Sequence, residues 1–270
     1  MNIQNILEKK KRGEKITMLT AYDYPTAVLL DRAGIDIVLV GDSLANVVLG
    51  LESTTLVYMP EMIHHAKAVR RGIKNAFLVG DMPYDSYQAD PTMAVKNAER
   101  FIKEAGCDAV KLEWFRQCPF VAESIIQAGI PVMGHVGLTP QTAESFTVQG
   151  RKAHAAEEIM EHARILERVG CFSLVLECIP QELAQLITEE AGIPTIGIGS
   201  GVHCDGQVLV TPDMLGLLDR QPKFAKKYVD LSPLILEAFK HYKKEVETQA
   251  FPDPEHSFKM DAEEFKKLKD

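Results

Sequence analysis

The sequence predicts an α/β fold, a (β/α)8 TIM barrel with an extra N-terminal helix, and three observations carry that prediction. A helix-to-strand joint recurs five times, as "DRAGIDIV", "KEAGCDAV", "IQAGIPVM", "ERVGCFSL" and "EEAGIPTI". In each, an amphipathic stretch reaches a glycine suited to the left-handed turn that ends a helix (Gly34, Gly106, Gly129, Gly170, Gly192), and an apolar strand follows. Eight apolar runs alternate with helical stretches, which asks for parallel strands covered by helices on one side. An open doubly wound sheet could be built from the same alternation, but about eight such units in a chain of 270 residues is the usual size of the barrel.

Taken in order, "NIQNILEKKKRG" forms a helix ahead of the first strand, placed to close the bottom of the barrel. Strands are expected near 16–22, 35–42, 77–81, 109–113, 132–137, 172–177, 195–200 and 224–230. Asp90-Pro91 and Pro180 mark helix starts, and "MPEMIHHAKAVRRGIK" carries apolar residues at helical spacing. No linker rich in proline, glycine or serine divides the chain. Residues 1–258 therefore read as a single barrel domain, and 259–270, "KMDAEEFKKLKD", as a charged C-terminal tail.

With 46% hydrophobic and 25% charged residues the composition is that of an ordinary globular protein. A formal net charge of -8 argues against nucleic acid or an anionic membrane as the main partner and points to small-molecule substrates. The five cysteines form no C-x-x-C pair and read as reduced packing residues. The N-terminus has no unbroken apolar signal region, and no window approaches the roughly 18 apolar residues of a membrane span. A cytoplasmic location is expected.

Chemistry gathers at the strand ends. "IVLVGDS" closes on Asp42 and Ser43, "AFLVGDM" has Asp81, "AVKLEW" has Lys111 and Glu113, "PVMGHVG" has His135 and "FSLVLECIP" has Glu177. In a parallel barrel these ends converge on one mouth, where barrel enzymes keep their active sites. Asp42, Asp81 and Glu113, from three successive strands, would repel one another without a cation between them, and an all-oxygen set suits magnesium better than zinc. Any one of these acids could instead cap a helix. Lys111 shares a face with Glu113, so it can neutralise a substrate carboxylate or pair with that acid. Glu177 sits where partial desolvation suits a general base, a helix cap being the rival reading. His135 reads as a hydrogen-bond donor or as a core histidine. "GIGSG", 197–201, lies where barrels often bind phosphate but lacks the G-x-G-x-x-G spacing.

These residues lie in motifs that resemble the ketopantoate hydroxymethyltransferase family. The resemblance runs from "TMLTAYDYPTA" through "VGDSLANVVLG", "HHAKAVRRG", "LVGDMPY", "VKLEW", "IPVMGHVGLTPQ" and "LVLECIP" to "IGIGSGVHCDGQVLVTPDMLG" and "FPDPEHSF". It implies a TIM barrel holding one Mg2+ per subunit in a cytoplasmic homo-oligomer, typically a decamer. It implies hydroxymethyl transfer from 5,10-methylenetetrahydrofolate to 3-methyl-2-oxobutanoate, giving 2-dehydropantoate and tetrahydrofolate in pantothenate biosynthesis. Residue by residue, Asp42 and Asp81 match the magnesium ligands, with Glu113 the third acid beside the metal. Ser43 and Lys111 match residues that hold the oxo acid, Glu177 matches the general base, and His135 lies in a matching pocket motif that faces substrate. The mechanism implied is an aldol-like addition: a magnesium-stabilised enolate forms as Glu177 removes the C3 proton, then attacks the one-carbon unit.

The chain departs from the family pattern at Ala45, where many members have glycine, and at "TTLVYMP" after the first active-site loop. Two other readings compete. A magnesium-dependent carbon-carbon lyase or mutase of the phosphoenolpyruvate mutase and isocitrate lyase type would need a cysteine-bearing Lys-Lys-Cys-Gly-His loop that the sequence lacks. A non-catalytic barrel scaffold would not need Asp42, Asp81, Lys111 and Glu177 together.

Overall fold

The computed structural model describes residues 1–143, 146–218 and 221–269. Strands β1 (Ile16–Thr20), β2 (Ile37–Val40), β3 (Phe77–Asp81), β4 (Ala109–Glu113), β5 (Val132–Gly137), β6 (Ser173–Glu177), β7 (Thr195–Ile198) and β8 (Gly206–Leu209) close into a barrel in sequence order. Every neighbouring pair is parallel, and β8 closes the ring by pairing with both β7 and β1. The expected TIM barrel is therefore the observed one.

One strand is not where the sequence places it. Residues 224–230 form no strand, and the eighth position is taken by Gly206–Leu209. The segment 224–230, "FAKKYVD", carries the β-favouring residues Phe224, Tyr228 and Val229 but no alternation that would bury one face. With the ring closed through "GQVL", no free edge remains for it to bond.

The strands bury alternate residues on two sides. Ile16, Met18, Ile37, Val79, Ala109 and Val208 fill the barrel interior, while Val38, Leu78, Val110, Leu112, Val132 and Leu174 pack outward into the layer beneath the helices. The N-terminal helix α1 (Ile3–Lys11) closes the bottom as expected: Ile6 is buried in the interior cluster. Lys9 and Lys10 fix its angle by pairing with Asp36 at 2.7 Å and Asp205 at 2.8 Å.

The remaining helices are α2 (Tyr24–Arg32), α3 (Leu44–Val47), α4 (Met59–Gly72), α5 (Pro91–Lys103), α6 (Cys118–Gln127), α7 (Ala153–Arg168), α8 (Gln181–Glu190), α9 (Thr211–Met214), α10 (Leu231–Glu247) and α11 (Ala262–Lys267). Asp90 caps α5 by accepting from Thr92 N at 2.9 Å, with Pro91 at the first helical position. Of the five repeated joints, Gly34, Gly106, Gly129 and Gly170 adopt positive φ. Gly192 does not; its N–H instead donates to Glu167 Oε1 at 2.8 Å.

Helix α10 and the barrel wall at the β8–β1 seam are left largely uncovered among the described residues. Helix α10 buries none of its residues and exposes Leu234, Leu236, Phe239 and Tyr242. On the barrel wall at the β8–β1 seam, Thr17 and Gln207 are exposed and Leu19 and Leu209 are only partly covered. A groove of about 970 Å3 runs there, lined by Thr17, Leu19, Ile35, Leu209 and Met214 among others. All five cysteines are buried thiols. Among the described residues no helix is long and apolar enough to cross a membrane.

Candidate active site

The inward face of the strands turns polar at the mouth of the barrel. Ala109, Lys111 and Glu113 follow one another on the inner face of β4, and the same alternation brings in Asp81 on β3, His135 on β5 and Glu177 on β6. Strand register sets Asp81 beside Lys111, Glu113 beside His135 and Gly137 beside Glu177. Asp42 and Ser43 come directly after β2. All seven residues singled out in the sequence line one cavity of about 690 Å3.

The sequence left two partners open for Lys111, a substrate anion or Glu113. In this structure its nearest partner is Asp81: Nζ donates to both carboxylate oxygens, at 2.8 and 2.9 Å, and stands 3.9 Å from Glu113 Oε1. Asp81 Oδ2 also accepts from the Asp42 backbone N–H at 3.1 Å. Burial alone would lower the lysine's pKa, but Asp81, Glu113 and Asp42 outweigh it and hold Lys111 above its ordinary value, firmly cationic.

Gln141 joins the acids, and the sequence reading missed it. Its Nε2 donates to Asp42 Oδ2 at 2.9 Å and to the Met82 carbonyl at 3.1 Å, and its backbone N–H donates to Glu113 Oε2 at 2.9 Å. The Tyr87 hydroxyl donates to Gln141 Oε1 and accepts from the Glu113 N–H at 3.3 Å. Across the mouth, the Tyr22 hydroxyl meets Ser43 Oγ at 2.7 Å. The only sequence trace of Gln141 is its place in "GLTPQ" after β5; nothing local shows that its amide turns inward.

Three buried carboxylates share one buried ammonium, and this excess of acid shows in their proton affinities. Burial pushes Asp81 up to about 7 against the pull of Lys111, with Asp42 adding to the rise. Burial also holds Glu113 well above the usual carboxylate range; Lys111 opposes this, and Asp42 and Asp81 reinforce it. Among the described residues no three His, Cys, Asp or Glu side chains already stand as a metal cage, because Lys111 reaches in between the acids. The chemistry of the donor set nevertheless fits a hard divalent cation. It offers oxygens alone, carries surplus negative charge, and leaves Asp42 Oδ1 without a hydrogen bond among the described residues.

On the opposite wall, His135 Nε2 lies 3.3 Å from Glu177 Oε2 and Nδ1 lies 3.6 Å from Glu113 Oε1. Neither ring nitrogen makes a well-formed hydrogen bond among the described residues. Burial, helped by the Lys111 cation, lowers the His135 pKa against the pull of Glu177, so the ring is neutral near pH 7. Glu177 keeps 16% of its side chain exposed to the cavity. The next residue, Cys178, holds φ at +49°, a left-handed turn that side chains other than glycine seldom adopt. It ends β6 abruptly and leaves Glu177 as the last inward residue. The "GIGSG" stretch contributes Ile198 to this cavity, while Gly199 and Gly201 line the other groove.

A family model described as ketopantoate hydroxymethyltransferase matches residues 1–254. The chain belongs to the ketopantoate hydroxymethyltransferase family. Among curated relatives, the 3-methyl-2-oxobutanoate hydroxymethyltransferase of Syntrophomonas wolfei is 52% identical over 272 residues, covering 99% of each chain. The enzyme of the same name from Syntrophus aciditrophicus is 55% identical over 253 residues, covering 92% of this chain and 93% of its own. Solved structures share the barrel at low identity. A phosphonopyruvate hydrolase in complex with oxalate and Mg++ superposes with TM-score 0.64 at 9% identity, over 95% of this chain and 93% of that one. 2,3-Dimethylmalate lyase, a PEP mutase/isocitrate lyase superfamily member, gives 0.58 at 14%, over 98% and 93%. These likenesses carry the fold alone.

Proposed function

We propose that the chain transfers a hydroxymethyl group from 5,10-methylenetetrahydrofolate to 3-methyl-2-oxobutanoate, forming 2-dehydropantoate and tetrahydrofolate with consumption of one water. The observation that carries the reading is the convergence of Asp42, Asp81, Lys111, Glu113 and Glu177 on one cavity in a chain of this family. The oxo acid is an anion with a second acceptor oxygen, and it needs positive charge at one end and a base at the other.

Asp42 and Asp81, with Glu113 behind them, are the residues that would hold a divalent cation, taken here as Mg2+. When bound, that ion supplies positive charge beside the substrate's carboxylate and keto oxygens. The protein's own residues do the rest. Lys111 adds a fixed charge at the anionic end, and Ser43 Oγ, held by Tyr22, offers a hydroxyl there. Glu177 Oε2 takes the proton from C3. His135, neutral and against Glu177, walls the base from the buried acids without adding charge. The electron pair freed at C3 forms the new carbon-carbon bond, both bonds from the one-carbon unit to folate N5 and N10 break, and water supplies the hydroxyl oxygen, its released proton and the one taken from C3 going to the two nitrogens.

The reading is tested by proton NMR in deuterated buffer. Magnesium-dependent loss of the C3 proton of 3-methyl-2-oxobutanoate is expected, with a hydroxymethyl signal once methylenetetrahydrofolate is added. Folded protein with excess magnesium that gives neither signal would remove the substrate assignment. Glu177→Gln is expected to slow exchange by about 10²- to 10⁴-fold while still binding the oxo acid; unchanged exchange would take Glu177 out of the role.

We also read the chain as a homo-oligomer, a decamer by family resemblance. Support comes from α10 and the β8–β1 groove, a helix without a wall and a wall without a helix. Exchange of α10 between two copies would cover both.

A further inference from the structure

We infer that Asp213 is the residue that recognises the folate, its carboxylate accepting from the 2-amino group and N3–H of the pterin ring. The inference rests on the function proposed above and extends it to the second substrate.

Asp213 sits on α9, just beyond β8, and lines the same cavity as Asp42, Lys111 and Glu177. It is 8% exposed, yet its carboxylate makes no hydrogen bond or ion pair among the described residues. The element that carries it is pinned: Thr211 N donates to Thr20 Oγ1 at 3.0 Å, and the Thr211 hydroxyl donates to the Thr20 carbonyl, tying α9 to the end of β1. Its oxygens keep contact with the cavity and have no protein donor among the described residues, so a carboxylate held rigidly at this wall is free to accept from a ligand that displaces its water. Burial holds its pKa above the usual carboxylate value, which a pair of N–H donors would reverse.

The chemistry of the two substrates decides which of them supplies the donors. 3-Methyl-2-oxobutanoate carries only acceptor oxygens and a negative charge, and an ionised carboxylate would repel it. The pterin presents two adjacent N–H donors on one edge, spaced to meet both oxygens of a carboxylate. Space agrees with this pairing: about 690 Å3 far exceeds a five-carbon acid and suits a ligand of fused rings. Phe224, Pro222 and Leu218 give this cavity apolar lining as well. Thr211 holds this segment to Thr20, and Thr20, Asp42 and Asp213 line one cavity, so the pterin end shares that cavity with the oxo acid end.

Two measurements test the inference. In the first, Asp213→Asn is compared with wild type by steady-state kinetics. The KM for methylenetetrahydrofolate is expected to rise about 10- to 100-fold, and that for 3-methyl-2-oxobutanoate to change less than about twofold. A folded variant with an unchanged folate KM, or with both KM values raised alike, overturns the inference. In the second, wild-type protein is titrated with tetrahydrofolate and with its 2-desamino analogue, which needs no variant to fold. Binding weakened about 10-fold or more by loss of the amino group is expected; equal binding overturns the inference. Proton exchange on the oxo acid by wild type separates the two failures. If exchange runs and the amino group does not matter, only the role of Asp213 falls; if exchange and folate binding are both absent, the proposed function falls with it.

Discussion

Asp81 links the charge of the site to the stability of the protein. Its pKa is about 7 in the folded chain, because burial outweighs Lys111, against ~3.9 when unfolded. Between those values the folded state keeps a proton that the unfolded state has lost. Stability therefore falls as pH rises through that window, by at most about 1.4 kcal/mol per pH unit for this group, and is unaffected below it. In chelator-treated protein, the melting temperature of wild type relative to Asp81→Asn is expected to decline from pH 4.5 to 7 and then level. Magnesium, which favours the ionised acid, is expected to flatten the decline; identical slopes with and without magnesium would separate Asp81 from any metal. Gln141 gives a second test at this scale. Gln141→Ala removes the amide that donates to Asp42 and Met82 and strands the Tyr87 hydroxyl. A loss of about 1–3 kcal/mol in denaturant unfolding is expected, with slower C3 exchange. The charged members of the cluster were legible because an acid or lysine ending an apolar run is conspicuous. Gln141, Tyr87 and Tyr22 were not, since a neutral polar residue in a loop gives no sign of facing inward until the fold brings it there.

Among the elements, β5 and β6 hold Glu177, the proposed base, in place through one glycine. Gly137 pairs with Glu177 in register and has φ +97°, and a Cβ added to it would stand 2.3 Å from the Glu177 carbonyl oxygen. A contact that close forces the end of β6 to move. Gly137→Ala is expected to lower the C3 exchange rate at least about 10-fold and to cost about 1–3 kcal/mol of stability. Exchange at the wild-type rate would mean that Glu177 tolerates the shift. The same strand pair shows why most of the barrel could be read in advance. Strands β2 to β6 are largely buried on both faces; β3, β4 and β6 end on an acid, Asp42 follows β2 and His135 sits near the end of β5, with a positive-φ glycine ahead of β2, β4, β5 and β6. Strand β8 has neither mark. It is four residues long, begins with Gly206 and exposes Gln207. Gly206 is required because a Cβ there would come within 2.5 Å of the Ile16 carbonyl oxygen. The tight closure that defines β8 thus removes the apolar pattern by which a strand is recognised, and the β-favouring Phe224, Tyr228 and Val229 drew the assignment to 224–230 instead.

Among the described residues the β8–β1 face of the barrel stays partly open and the long helix α10 has no buried residue, and the two observations constrain each other. Helix α10 has an amphipathic sequence, "LSPLILEAFKHYKKEVE", yet none of its residues is fully buried, so its 17 residues gain little hydrophobic stabilisation from the barrel as a single copy. The groove at the β8–β1 seam is the barrel face where Leu19 and Leu209 remain only partly covered, next to the α9 segment that carries Asp213. If α10 of a second copy fills that groove, assembly and site are coupled, because the helix then braces the wall behind Thr211 and Asp213. Replacing Phe239 and Tyr242 with aspartate is expected to shift the protein to a smaller species in light scattering. The folate KM should rise more than the oxo acid KM, since Asp213 lies on the braced side and Glu177 on β6 does not. An unchanged mass would show that α10 does not hold copies together. A smaller species with both KM values intact would keep α10 in assembly and show that each barrel sets its own site.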